Sequence, residues 1–281
     1  MTYRIESLPP ARLKVLELLQ DATRFAGRFT VHGLIEADMT EARRRLEALP
    51  DGKPSLTSYV VASLARAVDA HPEVNARRVG RRLMFFDDID IEVTIERRSR
   101  SGPAPSAWRV RNGHQKTLWE IAAELEAAKT GPTGRDDPGR RLLPTMRIPR
   151  VLRRPIVWTL ARVPSAAARF GPAIGVSSLG MFGTGWGIPI SPMTLMVTVG
   201  GISRRPALES DVLVEREFLP LTLSFDHSVI DGAPGARFAT TFGAFLEACT
   251  VLDDDGLKEE LASHRQSDRH EAVVGTSELS T

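Results

Sequence analysis

Four apolar-rich segments crowd residues 173–225: AIGVSS (173–178), MTLMVTVGGI (193–202), DVLVEREF (211–218) and LPLTLSF (219–225). Each has the length and β-branched content of a strand, and they follow one another in order. Upstream, DIDIEVTIE (88–96) alternates Ile89, Ile91, Val93 and Ile95 with polar residues, as a strand with one buried face does. Helical spacing appears between these blocks. SLTSYVVASLARAVDA (55–70) puts Leu56, Tyr59, Val60, Leu64 and Val68 on one face and stops at His71-Pro72. KTLWEIAAELEAAK (116–129) is amphipathic and is closed by Gly131-Pro132. The mixture predicts one α/β domain, a mixed sheet flanked by helices.

Further helices are expected at 10–22, where Leu13, Leu16 and Leu19 recur, and at 36–49. In the second, Asp38 and Glu41 have the spacing of a capping box. A last helix over 235–252 aligns Phe238, Phe242, Phe245, Cys249 and Leu252. On that stripe Cys249 reads as a small core hydrophobe rather than a nucleophile. It is the single cysteine of 281 residues, so an internal disulfide and a cysteine zinc site are excluded. No other metal-ligating pattern stands out.

A net charge of +2 does not argue for a nucleic-acid binder. No apolar block opens the first twenty residues, and no uncharged run approaches the roughly 18 residues of a spanning helix. The expectation is a soluble, reduced, cytoplasmic protein. Residues 1–28 read as a helical extension, 29–252 as the main domain, and 253–281 as a polar tail. Within the domain, 131–172 reads as an insertion. Its segment 135–169 holds nine arginines against Asp136 and Asp137, a net of +7, which leaves −5 for the rest. Five prolines keep any helix there short. It is either a solvated loop or a surface for the phosphates of a cofactor, a lipid or a partner. PIVWTLARV (155–163) adds a short amphipathic piece suited to an acyl chain or an anionic membrane surface.

The chemistry concentrates in LTLSFDHSVIDGAPG (221–235). A strand delivers His227 at its end, where a side chain is aimed outward. Histidine is the natural base for deprotonating a thiol or hydroxyl near neutral pH. Asp231 in the same turn can accept local hydrogen bonds or pair with a cation. Gly232 permits a close approach or unusual backbone there, and a helix follows.

This stretch resembles the HxxxDG motif of the chloramphenicol acetyltransferase-like superfamily. SFDHSVIDGAPGARF is closer still to the catalytic domain of the acyltransferase subunits of 2-oxo-acid dehydrogenase complexes. FTVHGLIEADMT resembles that family's opening strand and Asp-x-Thr cap. HPEVNA resembles its Pro-x-x-Asn-Ala turn, and GVSSLGMFGTGWGIPISP its Ser-x-x-Gly hairpin. The resemblance runs from about residue 29 to 248. It implies a chloramphenicol acetyltransferase-like fold and an acyl-CoA-dependent acyltransferase, with coenzyme A as cosubstrate and nothing tightly bound. His227 becomes the general base, Ser177 the hydroxyl that donates to the tetrahedral oxyanion, Asp231 a structural aspartate and Gly232 a close-packed glycine. Ser178 is the alternative if the alignment slips by one. The active site lies between the subunits of a homotrimer, with histidine and serine from facing chains. Arg153 and Arg154 are candidates for the coenzyme A phosphates.

The departures are specific. Ser228 stands where the family has arginine. SGPAPSAWRV (101–110) replaces an apolar strand and should alter the substrate channel. No lipoyl domain precedes the matched region, which points to a stand-alone enzyme with a free or foreign acceptor. A catalytically silent trimeric scaffold is the rival reading. A one-module relative of HHxxxDG condensation enzymes fits less well, because Asp226 holds the first histidine position. His32, His71, His114, His264 and His270 carry no supporting motif; His32, on the matched strand, could line the pocket. Trp186 could wall a channel or pack in the core.

Overall fold

A computed structural model describes residues 29–49, 54–99, 102–130 and 172–253, except 180–182 and 184, together with positions 148, 149, 152 and 155. The helix expected at 10–22, most of the basic insertion with Arg153 and Arg154, and the tail from 254 lie outside the described residues.

Strand β1 (Thr30–Asp38) leads to helix α1 (Thr40–Ala48) and then to α2 (Leu56–Ala70). A hairpin, β2 (Ala76–Val79) and β3 (Arg82–Phe85), precedes β4 (Ile91–Ser99), β5 (Gly102–Val110) and α3 (Leu118–Thr130). The remainder is β6 (Ile174–Ser178), β7 (Leu195–Val199), β8 (Ser203–Glu209), β9 (Val212–Asp226) and α4 (Gly232–Glu247). Seven strands make one mixed sheet in the order β1-β9-β7-β6-β4-β5, with β8 also on β9. The β4–β6 and β6–β7 pairs are parallel, and the others are antiparallel.

Strand alternation sorts the sheet into two unlike faces. On one face Ile91, Val93, Ile174, Val176, Leu195, Val197, Leu219, Leu221 and Leu223 are buried against Tyr59, Leu64, Phe238 and Phe242 of the helices. The opposite face carries Thr94, Ser177, Thr198, Thr222 and Ser224, placed in register across four strands. Inside the helical layer the Tyr59 hydroxyl donates to the Leu246 carbonyl at 2.6 Å, tying α2 to α4. Ser55 caps α2 by accepting from Ser58 N at 3.1 Å, and the helix stops at His71 before Pro72, as the sequence predicts.

Several expectations need correction. No capping box forms at 38–41. Asp38 ends β1, and its Oδ1 accepts from Thr40 N (3.0 Å) and Thr40 Oγ1 (2.6 Å), while its own N–H donates to Glu247. Glu41 instead pairs with Arg44 and Arg45. The Asp-x-Thr cap therefore forms, and the Asp-x-x-Glu box does not. Segments 211–218 and 219–225 are a single strand, β9. The sequence reading missed β8, whose residues SRRPALE lack alternation and are paired because β9 runs on past β7. It also missed the β2–β3 hairpin. SGPAPSAWRV still forms a strand, β5. Its prolines fall on the edge of the sheet, where alternate N–H groups face no neighbouring strand and prolines are accepted.

Candidate active site

The turn after β9 is built by Asp226. Its carboxylate accepts from Ser228 N at 3.0 Å and Ser228 Oγ at 2.6 Å, an Asx turn. Its carbonyl accepts from Val229 N and Ile230 N. At 2 % exposure, Asp226 is a buried anchor. His227 N donates to Phe29 O at 2.6 Å, pinning the turn to the start of β1. His227 is thereby held by its backbone while its side chain stays 45 % exposed.

Asp231 is the N-cap residue of α4 but makes no side-chain cap bond. Its Oδ1 lies 3.8 Å from His227 Nδ1, beyond hydrogen-bond range, and it is 82 % exposed. The side-chain hydrogen bonds of the turn come from Asp226. The expectation for Gly232 is corrected. Nothing lies within 4 Å of where its Cβ would be, so within this chain it is not close-packed. Sequence reasoning noted Asp226 and Ser228 only as departures from family patterns and gave them no role in the turn, although Asp-x-Ser is an Asx-turn signature. The serine standing in place of arginine has a defined partner.

Ser177 lies on β6 opposite Thr198 of β7 and Thr94 of β4. By alternation it shares the polar face with Gly175, whereas Ser178 faces the helical side with Val176. Thr198 pairs in turn with Thr222. The Thr198 and Thr222 hydroxyls are buried without a hydrogen-bond partner. His227 stands five residues beyond Thr222 and two strands away from Ser177. At about 3.3 Å per residue and 4.8 Å per strand, that is roughly 15–20 Å. Within one chain His227 and Ser177 are therefore far apart.

The other candidates resolve simply. His32 Nδ1 is 2.8 Å from Ser224 Oγ on the polar face. His71 is structural: Nε2 is 2.8 Å from Thr241 Oγ1 and the ring packs edge-on to Phe238. Trp186 is 46 % exposed, which excludes core packing. Cys249 is 1 % exposed and free. Burial pushes its thiol above the ordinary range, so it is unfit as a nucleophile. A charged cleft of about 570 Å³, lined by Asp38, Thr40, Glu41, Arg44, Arg216 and Glu247 among others, holds neither His227 nor Ser177. Among the described residues no helix is long and apolar enough to cross a membrane, and no cluster of metal-ligating side chains occurs.

Residues 166–252, which contain Ser177, His227, Asp231 and Gly232, match the family described as 2-oxoacid dehydrogenases acyltransferase (catalytic domain). The dihydrolipoyllysine-residue acetyltransferase component of the Bacillus subtilis acetoin cleaving system is 34% identical over 71% of this chain and 43% of its own length. The lipoamide acyltransferase component of the Pseudomonas aeruginosa branched-chain alpha-keto acid dehydrogenase complex is 25% identical over 86% of this chain and 51% of its own. The acetyltransferase component of the Rickettsia conorii pyruvate dehydrogenase complex is 23% identical over 70% and 41%. The chain thus spans about half the length of the curated relatives it matches, or less. Among solved structures, the dihydrolipoamide acetyltransferase of Azotobacter vinelandii superposes with a TM-score of 0.65 at 23% identity, covering 89% of this chain and 94% of that one. A probable dihydrolipoamide acetyltransferase from Listeria monocytogenes gives 0.64 at 18%, covering 88% and 95%. The fold is that of these catalytic cores.

Proposed function

We propose, from the premise that this chain belongs to the acyltransferases of the 2-oxoacid dehydrogenase family, that it moves an acyl group between coenzyme A and a thiol acceptor of the dihydrolipoyl type. His227 takes the proton from the acceptor thiol. The thiolate attacks the thioester carbonyl, and Ser177 donates a hydrogen bond to the oxyanion that develops. Collapse expels the coenzyme A thiolate, which recovers the proton from the imidazolium. The curated relatives are named as components of complexes, so an acceptor carried by another polypeptide is the natural reading; a stand-alone enzyme with a free acceptor is its finer alternative.

The observation that carries this reading is the exposed presentation of His227 at a strand end, with Ser177 on the polar face at the far end of the same sheet. Such an arrangement works only if a facing copy completes each site, which supports a homotrimer. The face also distinguishes the two serines: Ser177 shares it with the buried hydroxyls, and Ser178 does not. For the Azotobacter vinelandii enzyme, a serine, a histidine and an asparagine four residues beyond that histidine were investigated in its catalytic mechanism. Here Asp231 stands four residues after His227.

The test is acyl transfer from acyl-CoA to dihydrolipoamide. His227→Ala should cut turnover at least about a hundredfold without unfolding the chain. Transfer unchanged in a folded variant overturns the assignment. The scaffold reading draws on the exposure of Asp231 and the missing arginine; it predicts no transfer at all with an intact oligomer. For the arginine-rich segment, Arg153→Ala with Arg154→Ala should raise KM for acyl-CoA and weaken its salt dependence, with kcat nearly unchanged. Loss of anionic-vesicle binding with KM unmoved would assign these arginines to a lipid surface instead.

A further inference from the structure

We infer that Met193 and Met196 limit the acyl chain that this protein transfers, favouring short unbranched groups such as acetyl. The inference rests on the acyl-transfer reading above and names its substrate class. Gly175 and Ser177 are two residues apart on β6, so they share the polar face at a spacing of about 7 Å. Gly175 is in register with Met196, and Ser177 with Thr198. A methyl group placed on Gly175 would overlap Met193 Sδ and lie 2.9 Å from Met196 Sδ and 3.1 Å from Met193 Cε. Two thioethers therefore fill the space a side chain at 175 would take. Both methionines are only partly buried, and Met193 N is held by Ser191 Oγ at 3.2 Å.

The opposite flank is closed as well. A methyl group on Gly187 would overlap Leu179 Cδ1 and lie 3.2 Å from Thr198 Cγ2. Ser177 and Thr198 thus sit between a thioether floor and the Leu179–Gly187 wall. An oxyanion bonded to Ser177 lies about 3 Å from its hydroxyl. Each further carbon of the acyl chain adds at most about 1.5 Å. An acetyl methyl stops short of the thioethers, and a butyryl chain directed along the strand reaches them. Methionine is unbranched and flexible, so this floor resists longer chains without forbidding them.

The experiment measures kcat/KM for acetyl-, propionyl-, butyryl- and hexanoyl-CoA with dihydrolipoamide as acceptor, on the full chain and on Met193→Ala and Met196→Ala. Thermal unfolding checks that each variant is folded. The unaltered protein should fall at least about tenfold from acetyl to butyryl, the low end of what one or two methylenes cost in a pocket. Each alanine variant should raise the butyryl-to-acetyl ratio by about tenfold, while Met196→Leu, which conserves volume, should leave it in place. If an alanine variant does not fold, Met193→Val and Met196→Val make the same comparison with a smaller cavity. An unaltered protein that uses butyryl as well as acetyl overturns the inference. So does an unchanged ratio in folded variants, which would make these methionines packing residues only. Absence of transfer from every acyl-CoA would instead overturn the acyl-transfer reading.

Discussion

Because the Asp226 carboxylate binds both the N–H and the hydroxyl of Ser228, the turn that carries His227 is set before Asp231 is reached. Removing that carboxylate leaves the half-buried Ser228 N–H and hydroxyl without their acceptor, at a cost of about 1–3 kcal/mol. Asp226→Ala should therefore lower the unfolding free energy by that amount and reduce kcat by misplacing His227. Asp231→Ala should change stability by less than about 0.5 kcal/mol, as exposed substitutions do. Urea denaturation of the two variants separates the roles. Ser177→Ala should reduce kcat by about 10²–10³ with little change in acyl-CoA binding. A larger effect from Ser178→Ala would show that the serine on the helical side is the functional one.

At the level of elements, the joint between β1 and α1 is clamped onto β9. Met39 N donates to Glu217 O at 2.7 Å, Glu217 N donates to Thr40 Oγ1 at 2.9 Å, and Arg43 Nε reaches Glu217 Oε2 at 3.1 Å. Partial burial raises the Asp38 carboxyl, but the Thr40 hydroxyl and N–H and the Arg216 guanidinium outweigh it and hold Asp38 below the ordinary carboxylate range. A lowered folded-state pKa contributes stability above the unfolded value of about 4, and that stability is lost as pH falls through the folded value. The denaturant midpoint should thus fall as pH drops below about 4, and less steeply in Asp38→Asn. In the helical layer, Tyr59→Phe leaves the Leu246 carbonyl without its donor and should cost about 1–2 kcal/mol in thermal or urea unfolding.

For the whole molecule, the distance between His227 and Ser177 makes activity depend on assembly under the proposed function. If each site joins His227 of one chain to Ser177 of the next, the two single variants complement each other. Co-refolding equal amounts of His227→Ala and Ser177→Ala should restore about a quarter of the unaltered activity, because a random ring seats two intact residues at one site in four. Restoration no greater than the sum of the separate variants would place the site within one chain and remove the argument for a trimer. Light scattering on the same sample reads the number of chains directly.

The local signals were sufficient for α2, α3 and the strands that alternate or run apolar. Delivery of His227 at a strand end also followed from local pattern, because a strand's direction is a property of neighbouring residues; Cys249 is buried as expected, but past the end of α4 in a left-handed conformation rather than on the helical stripe. Other features required the tertiary structure. β8 is polar and non-alternating, and only pairing with the overlong β9 makes it a strand. Asp38 caps Thr40 rather than forming a box with Glu41, because Glu247 takes its N–H and two arginines take Glu41. Which serine meets substrate depends on which face of β6 the helices cover, a long-range outcome that the pair Ser177-Ser178 cannot express. The same holds for the distance between Ser177 and His227, which is set by sheet order and register, contacts between residues far apart in the chain.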